Sequence, residues 1–202
     1  MRFAYADPPY PGQSRALYAD HPDYAGEVDY AALVERLEDE YPDGWALSTS
    51  AQALPYVLSL CPCQVRVAAW YKTNAPPIRI TRGWIWSWEP IIVCGGRPGR
   101  DPVRDALAAG IPNGSIPGQK PDAFSRWMLN LLGAEQGDRI DDLFPGSGAV
   151  SRLLASWSSQ GVLYSGPREG WDETLLAQTL DGSEAKRKRR YRAGTGDMHR
   201  GI

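Results

Sequence analysis

From Arg2 to Tyr71 the chain alternates between two kinds of hydrophobic pattern, and that alternation limits the fold more than any other feature. Residues 2–5 (Arg-Phe-Ala-Tyr) form a short strand-like run. Residues 30–40 place Leu33, Val34 and Leu37 at helical spacing, with Asp29 as a plausible N-cap and Pro42 as a stop. Residues 45–49 predict a second strand, 51–60 a second helix and 64–71 a third strand rich in β-formers. Strand, helix, strand, helix, strand implies a parallel sheet with helices on its faces.

The first strand breaks into Asp7-Pro8-Pro9-Tyr10. Proline fixes φ and lacks an N–H, so this corner is stiff and its carbonyls are free to accept hydrogen bonds. A carboxylate and free carbonyls beside an aromatic ring suit one task. They can grip an amino group that donates two hydrogens while the ring stacks on whatever carries it.

Composition narrows the class. The 202 residues fit one domain with a full core, 43% hydrophobic and 23% charged. The 17 prolines and 21 glycines predict many loops. Net charge is −2, so any surface for nucleic acid must be local. Three cysteines, Cys61, Cys63 and Cys94, give no disulfide framework and suit a reducing cytoplasm. Cys61-Pro62-Cys63 lacks zinc-site spacing, and His21 and His199 are far apart, so no metal site is expected. Met1 runs straight into the first strand, so no signal peptide is expected, and no apolar run reaches membrane-spanning length.

Residues 11–26 are polar and turn-rich, with Tyr18, His21 and Tyr24, and form a loop beside the corner able to order around a substrate. Residues 72–85 interleave Arg79, Arg82 and Trp84, with Trp86 just beyond, a pattern that suits nucleic acid or, equally, a solvated connection. Residues 88–94 predict another strand, and 103–109 a weak helix within a Gly/Pro-rich stretch.

Lys120-Pro121 precedes an amphipathic helix over 122–132, with Phe124, Trp127, Met128 and Leu131 on one face and Gly133 as its stop. Residues 139–144 form a strand that carries Asp142 and Phe144. It runs into Pro145-Gly146-Ser147-Gly148 and a helix from 149 to about 158. Glycines let backbone approach a ligand closely, and the following helix N-terminus presents free N–H groups. Neither the dinucleotide fingerprint nor a Walker loop is present. If the strands ending at Tyr5 and Phe144 are neighbours at a switch point, the corner and the glycine loop face one crevice.

Asp7-Pro8-Pro9-Tyr10 resembles the catalytic motif of S-adenosylmethionine-dependent amino-methyltransferases. Phe144-Pro145-Gly146-Ser147-Gly148 resembles their cofactor motif, and the Lys120-Pro121 helix resembles the element before it. The order, catalytic motif first, is similar to the permuted β class. It is also similar to that of the mRNA adenosine methyltransferases, which carry Asp-Pro-Pro-Trp. Some rRNA guanine methyltransferases carry Asp-Pro-Pro-Tyr, but with the glycine loop first.

The resemblance covers about residues 2–158. It implies a Rossmann-like class I methyltransferase fold: α/β, with a doubly wound, mostly parallel sheet and circularly permuted motif order. It implies methyl transfer from S-adenosylmethionine to adenine N6 in DNA, with the base flipped into a pocket at Asp7, Pro8, Pro9 and Tyr10. Lys120, Pro121, Asp142, Phe144, Gly146, Ser147 and Gly148 are the implied cofactor residues. An RNA adenine-N6 or cytosine-N4 enzyme and a non-catalytic nucleic-acid-binding relative stay open as alternatives.

Two departures bear on these alternatives. The family's ribose-binding acid has no clear counterpart after Val162-Leu163-Tyr164, where Glu169 is displaced beyond Pro167. The family's strand before the catalytic motif is also lacking. A sheet trimmed on one side predicts low cofactor affinity, or a site completed by a homodimer or a partner chain.

The expected methyltransferase domain spans 1–182, with a loop-sized target-recognition region at about 73–118 and a last helix at 171–180. Residues 183–202 form a basic flexible tail, in which Lys186, Arg187, Lys188, Arg189 and Arg190 give a salt-dependent phosphate grip. With no membrane segment expected, the protein is placed in the cytoplasm, and in the host cytoplasm for an enzyme of the stripped-down phage kind.

Overall fold

The computed structural model describes residues 1–11, 27–75, 85–112, 118–146 and 148–160, the last four without their side chains. The chain separates into compact units Met1–Leu163 and Tyr164–Ile202, and the second lies outside the described residues. The predicted helix at 171–180, the basic tail, the 12–26 loop and the segment holding Arg79 and Arg82 lie outside them as well.

The alternation from Arg2 to Tyr71 is realised as β1 (Arg2–Ala6), α1 (Tyr30–Glu40), β2 (Gly44–Ser48), α2 (Leu54–Leu60) and β3 (Arg66–Lys72). Then come β4 (Trp88–Gly95), β5 (Ala106–Ala109), α3 (Asp122–Leu132), β6 (Arg139–Asp142) and α4 (Ala149–Gln160). Helix α1 starts where its cap predicts: the Asp29 carboxylate accepts from the N–H groups of Ala31 and Ala32 at 3.0 and 3.1 Å. Those two donors have no partner inside the helix. Helix α3 ends at Gly133, which is left-handed at φ 65°.

The described strands form one sheet in the order β5-β3-β4-β2-β1-β6. β1 lies parallel to both β2 and β6, and β3 parallel to β5. β4 runs antiparallel to both of its neighbours, so the sheet is mostly parallel with one reversed strand. The reversal has a physical origin in the 73–87 connection, which carries prolines and no helical period. A parallel return needs a crossover of a dozen residues or more, usually a helix.

The weak helix expected at 103–109 is instead strand β5. Ala106–Ala109 pairs with Ala69–Lys72 of β3. Two indole N–H groups hold the segment, Trp70 donating to the Ala109 carbonyl and Trp127 to the Arg104 carbonyl. Alanine is the strongest helix former, but propensity is a weak determinant beside tertiary context, and pairing with the open edge of β3 overrides it.

Strand residues alternate between two cores. On one face, Ala4, Ala6, Trp45, Leu47 and Ile92 pack with Leu33, Val34 and Leu37 of α1 and Val57 of α2. On the other, Phe3, Tyr5, Ala46, Trp70, Ile91 and Val93 pack with Phe124, Trp127, Met128 and Leu132 of α3 and Val150 and Leu153 of α4. Each fully buried large side chain stabilises the fold by about 1.5–3 kcal/mol. Helices on both faces make the sheet doubly wound, and the two cores hold the carboxyl ends of β1 and β6 side by side.

Candidate active site

Tyr5 pairs with Asp142 across the parallel β1–β6 ladder, and the Leu143 N–H donates to the Tyr5 carbonyl at 2.9 Å. Two loops therefore leave the same edge of the sheet next to each other: Asp7-Pro8-Pro9-Tyr10 from β1, and Leu143 to Gly146 from β6. Open α/β sheets bind ligands at such an edge.

The corner is held from several sides. The Tyr30 hydroxyl, at the first residue of α1, donates to the Pro9 carbonyl at 3.2 Å. Pro8 supplies the corner's other proline carbonyl. Beneath it, the Tyr5 hydroxyl shares a buried hydrogen bond of 3.0 Å with the Ser48 hydroxyl at the end of β2.

Four charged side chains, Asp7, Lys120, Glu89 and Lys72, form one linked cluster at the corner. The Lys120 ammonium lies 3.0 Å from Asp7 Oδ1 and 2.9 Å from Oδ2. It also donates to the Tyr10 hydroxyl at 3.2 Å and sits 3.2 Å from Glu89 Oε2. The Tyr10 hydroxyl donates to that same Glu89 oxygen at 2.9 Å. Glu89 Oε1 pairs with the Lys72 ammonium. Lys120 is 6% exposed, and its ammonium is 5.6–6.0 Å from the ring centres of Tyr10, Phe124 and Trp70. That aromatic surround favours the cation as well.

Burial and charge set the protonation of these groups. Burial alone would push Lys120 toward neutrality, but Asp7, Tyr5 and Glu89 outweigh it and its pKa lies above the ordinary value. Burial raises the Asp7 pKa, and Lys120 opposes that rise. Burial would raise Glu89 too, but Lys120 and Lys72 hold it below its ordinary value. Burial, with the negative charges of Asp7 and Glu89, keeps the Tyr10 hydroxyl protonated and able to donate. The cluster pairs two carboxylates with two ammonium groups, which is what allows ions at this depth.

Across the crevice, burial pushes the Asp142 carboxyl up to about 6; a hydrogen bond from the Phe144 N–H opposes this, and Asp7 adds to it. The glycine loop needs its glycines for backbone conformation. Gly146 has φ +46° and Gly148 φ +72°. Among the described residues, a Cβ would meet the Phe144 carbonyl oxygen at 3.7 Å or Arg152 Nη1 at 3.6 Å, both ordinary contacts, so the requirement for glycine is conformational. The Arg152 N–H donates to the Gly148 carbonyl at 2.9 Å, and Ala149 opens α4.

Of the residues singled out in the sequence, Asp7, Pro8, Pro9 and Tyr10 form the corner. Asp142, Phe144, Gly146 and Gly148 form the facing loop. Lys120 lies with Asp7 and Tyr10, and Pro121 caps α3. Ser147, Arg79, Arg82, Lys186, Arg187, Lys188, Arg189 and Arg190 lie outside the described residues. Glu89, Lys72, Trp70 and Tyr30 were not expected at the site. A signal was present for Glu89: an acid leading into Ile91-Ile92-Val93 must be buried and therefore paired.

Among solved structures the chain is similar to the M1.HpyAVI–SAM complex, with 18% identity over 78% of this chain and 79% of that one, at a TM-score of 0.54. The chain shares that structure's fold, a Rossmann-like α/β sandwich around a doubly wound, mostly parallel sheet. A structure of M1.HpyAVI matches with 16% identity, over 76% of this chain and 75% of that one, at a TM-score of 0.50. No protein-family profile and no curated protein matches the chain. Among the described residues, no helix is long and apolar enough to cross a membrane.

Proposed function

We propose that this protein transfers a methyl group from S-adenosylmethionine to the exocyclic N6 of adenine in DNA, with the target base flipped into the corner at Asp7–Tyr10. The observation that carries this reading is the β1–β6 pairing. It puts the Asp7–Tyr10 corner and the glycine loop on adjacent strands at one sheet edge. The solved structure of M1.HpyAVI with SAM shares the fold, which supports the same cofactor here. The motif order, corner before glycine loop, agrees with a circularly permuted member of that fold.

The residues present fit the cofactor. Gly146 and Gly148 give close backbone approach, the α4 N-terminus offers N–H groups, and Asp142 offers a carboxyl at the loop's base. When bound, S-adenosylmethionine supplies a sulfonium-activated methyl group.

The chain's own residues prepare the acceptor. Adenine N6 is a poor nucleophile, because its lone pair is conjugated into the ring. The Asp7 carboxylate and the Pro8 carbonyl accept its two hydrogens, which favours a pyramidal nitrogen with its lone pair turned outward. Tyr10, its hydroxyl tied to Glu89, presents a fixed ring for the base to stack on. Positioning supplies the rest of the rate. The nitrogen gains a methyl group and gives up one proton; burial raises the proton affinity of Asp7, which is placed to receive it. Arg79, Arg82 and the run from Lys186 to Arg190 supply phosphate contacts in this reading.

The test is transfer of a labelled methyl group from S-adenosylmethionine to unmethylated DNA and, in parallel, to RNA, with Asp7→Ala as control. Label on DNA that disappears in the variant supports the reading. Label on RNA alone moves the substrate to RNA. No transfer to either, with no cofactor binding by calorimetry, favours a non-catalytic nucleic-acid-binding protein.

A further inference from the structure

Within the methyl-transfer reading, the Asp7 carboxylate has a problem to solve. Both of its oxygens are already engaged by the Lys120 ammonium, at 3.0 and 2.9 Å. Each oxygen keeps a second lone pair, but a neutral amino group is a weaker donor than an ammonium ion, and it gains the better-aligned positions on Asp7 only where the cation has another anion to turn to. The site provides one. Glu89 Oε2 stands 3.2 Å from the same nitrogen, and the Tyr10 hydroxyl at 3.2 Å bridges the two carboxylates. Lys72 binds the other Glu89 oxygen, which keeps Glu89 ionised and fixed in place.

We propose that Glu89 is a positioning residue: it shares the Lys120 ammonium with Asp7 and takes it over when the acceptor amino group binds to Asp7. The handover leaves the site's net charge unchanged and moves no ion to or from water. It frees Asp7 lone pairs for the amino hydrogens at the moment they are needed. Glu89 touches neither substrate nor cofactor in this scheme. It acts through Lys120.

The charged and titratable groups around Asp7 come from every element of the site: Tyr5 and Tyr10 flank it on its own strand and corner, Lys72 ends β3, and Glu89 lies in β4. Lys120 precedes α3, Tyr30 opens α1, and Asp142 ends β6. Of these, Lys72 and Lys120 lower the Asp7 pKa and Glu89 raises it. Asp7 in turn raises the pKa of Tyr5, Tyr10, Tyr30 and Asp142.

The test uses Glu89→Gln, which removes the charge but keeps an oxygen to accept from Tyr10. Two readouts separate this inference from the parent reading. In the first, the Asp7 carboxyl is titrated by carbon NMR in the full chain, with no substrate present. With Lys120 left wholly to Asp7, the variant's carboxyl titrates at lower pH than the wild type's, and an unchanged titration overturns the proposal. In the second, kcat and KM are measured for methyl transfer to an adenine-containing duplex, alongside the Kd for S-adenosylmethionine. The expected result is a loss of roughly ten- to a hundredfold in kcat/KM, with cofactor affinity changed by less than about threefold. A working wild type whose Glu89→Gln variant is equally active overturns the proposal. A shifted titration in a protein that methylates nothing keeps the shared ammonium and removes the methyl-transfer reading.

Discussion

Lys120 and Asp7 are 113 residues apart in sequence, yet the Lys120 ammonium lies 3.0 Å from one Asp7 oxygen and 2.9 Å from the other. The pair ties the segment before α3 to the end of β1, and Glu89 joins it from β4. The site is therefore also a structural clasp. Its chemistry and its stability are expected to respond to the same substitutions.

Lys120→Ala removes one cation from a buried cluster and leaves Asp7 and Glu89 facing each other. Breaking a buried pair from one side costs about 3–5 kcal/mol. Urea denaturation at neutral pH is expected to show a loss of that size. A midpoint within experimental error of the wild type would mean that water enters the cluster freely.

Asp142 gives a pH signature of the opposite sign to most acids. Its pKa is raised in the fold to about 6, above the ordinary aspartate value of 3.8. Between those pH values the folded state holds more protons than the unfolded state, so stability falls as pH rises through that window. Above it, the cost stays. Asp142→Asn removes the cost and keeps an oxygen for the Phe144 N–H. The variant is expected to be more stable at pH 8 by about 1–3 kcal/mol, with the gain fading by about pH 4. Thermal or urea melts at the two pH values check this.

Gly148→Ala isolates the glycine loop. Among the described residues the added Cβ meets Arg152 Nη1 at an ordinary 3.6 Å, but φ +72° disfavours any side chain. The strain is about 1–2 kcal/mol. The expected outcome is a folded protein with a slightly lower melting temperature and weaker S-adenosylmethionine binding by calorimetry. Unchanged affinity would place the cofactor away from this loop.

Tyr10→Phe and Tyr10→Ala separate the ring from its hydroxyl. Phe keeps the stacking face and loses the bonds to Glu89 and Lys120. Ala loses stacking as well, worth about 1–3 kcal/mol per base. Affinity for a duplex with a destabilised target base is expected to fall much further for Ala than for Phe. Equal losses would mean that the hydroxyl, rather than the ring, is what the acceptor needs.

How much of this was legible in the sequence depended on how local the cause was. Helix α1 was readable to the residue because Asp29 and Pro42 bracket its apolar stripe, and α3 because Pro121 and Gly133 do the same. The β1–β6 adjacency followed from the two motifs at the strand ends. The direction of β4 did not show, because period-two alternation is the same whichever way a strand runs. β5 did not show either, since Ala106-Leu107-Ala108-Ala109 becomes a strand only by pairing with β3. The charge cluster was hidden for the same reason. Lys120 was singled out by its place before α3, but Lys72 and Glu89 are ordinary surface residue types until tertiary structure brings them to it.

The most direct measurement is the identity of the methylated nucleoside. Unmethylated DNA is incubated with the protein and S-adenosylmethionine carrying a labelled methyl group, then digested to nucleosides and separated. Label is expected on N6-methyldeoxyadenosine, and none from the Asp7→Ala protein. Label on another nucleoside, or equal label from Asp7→Ala, would contradict the proposed function.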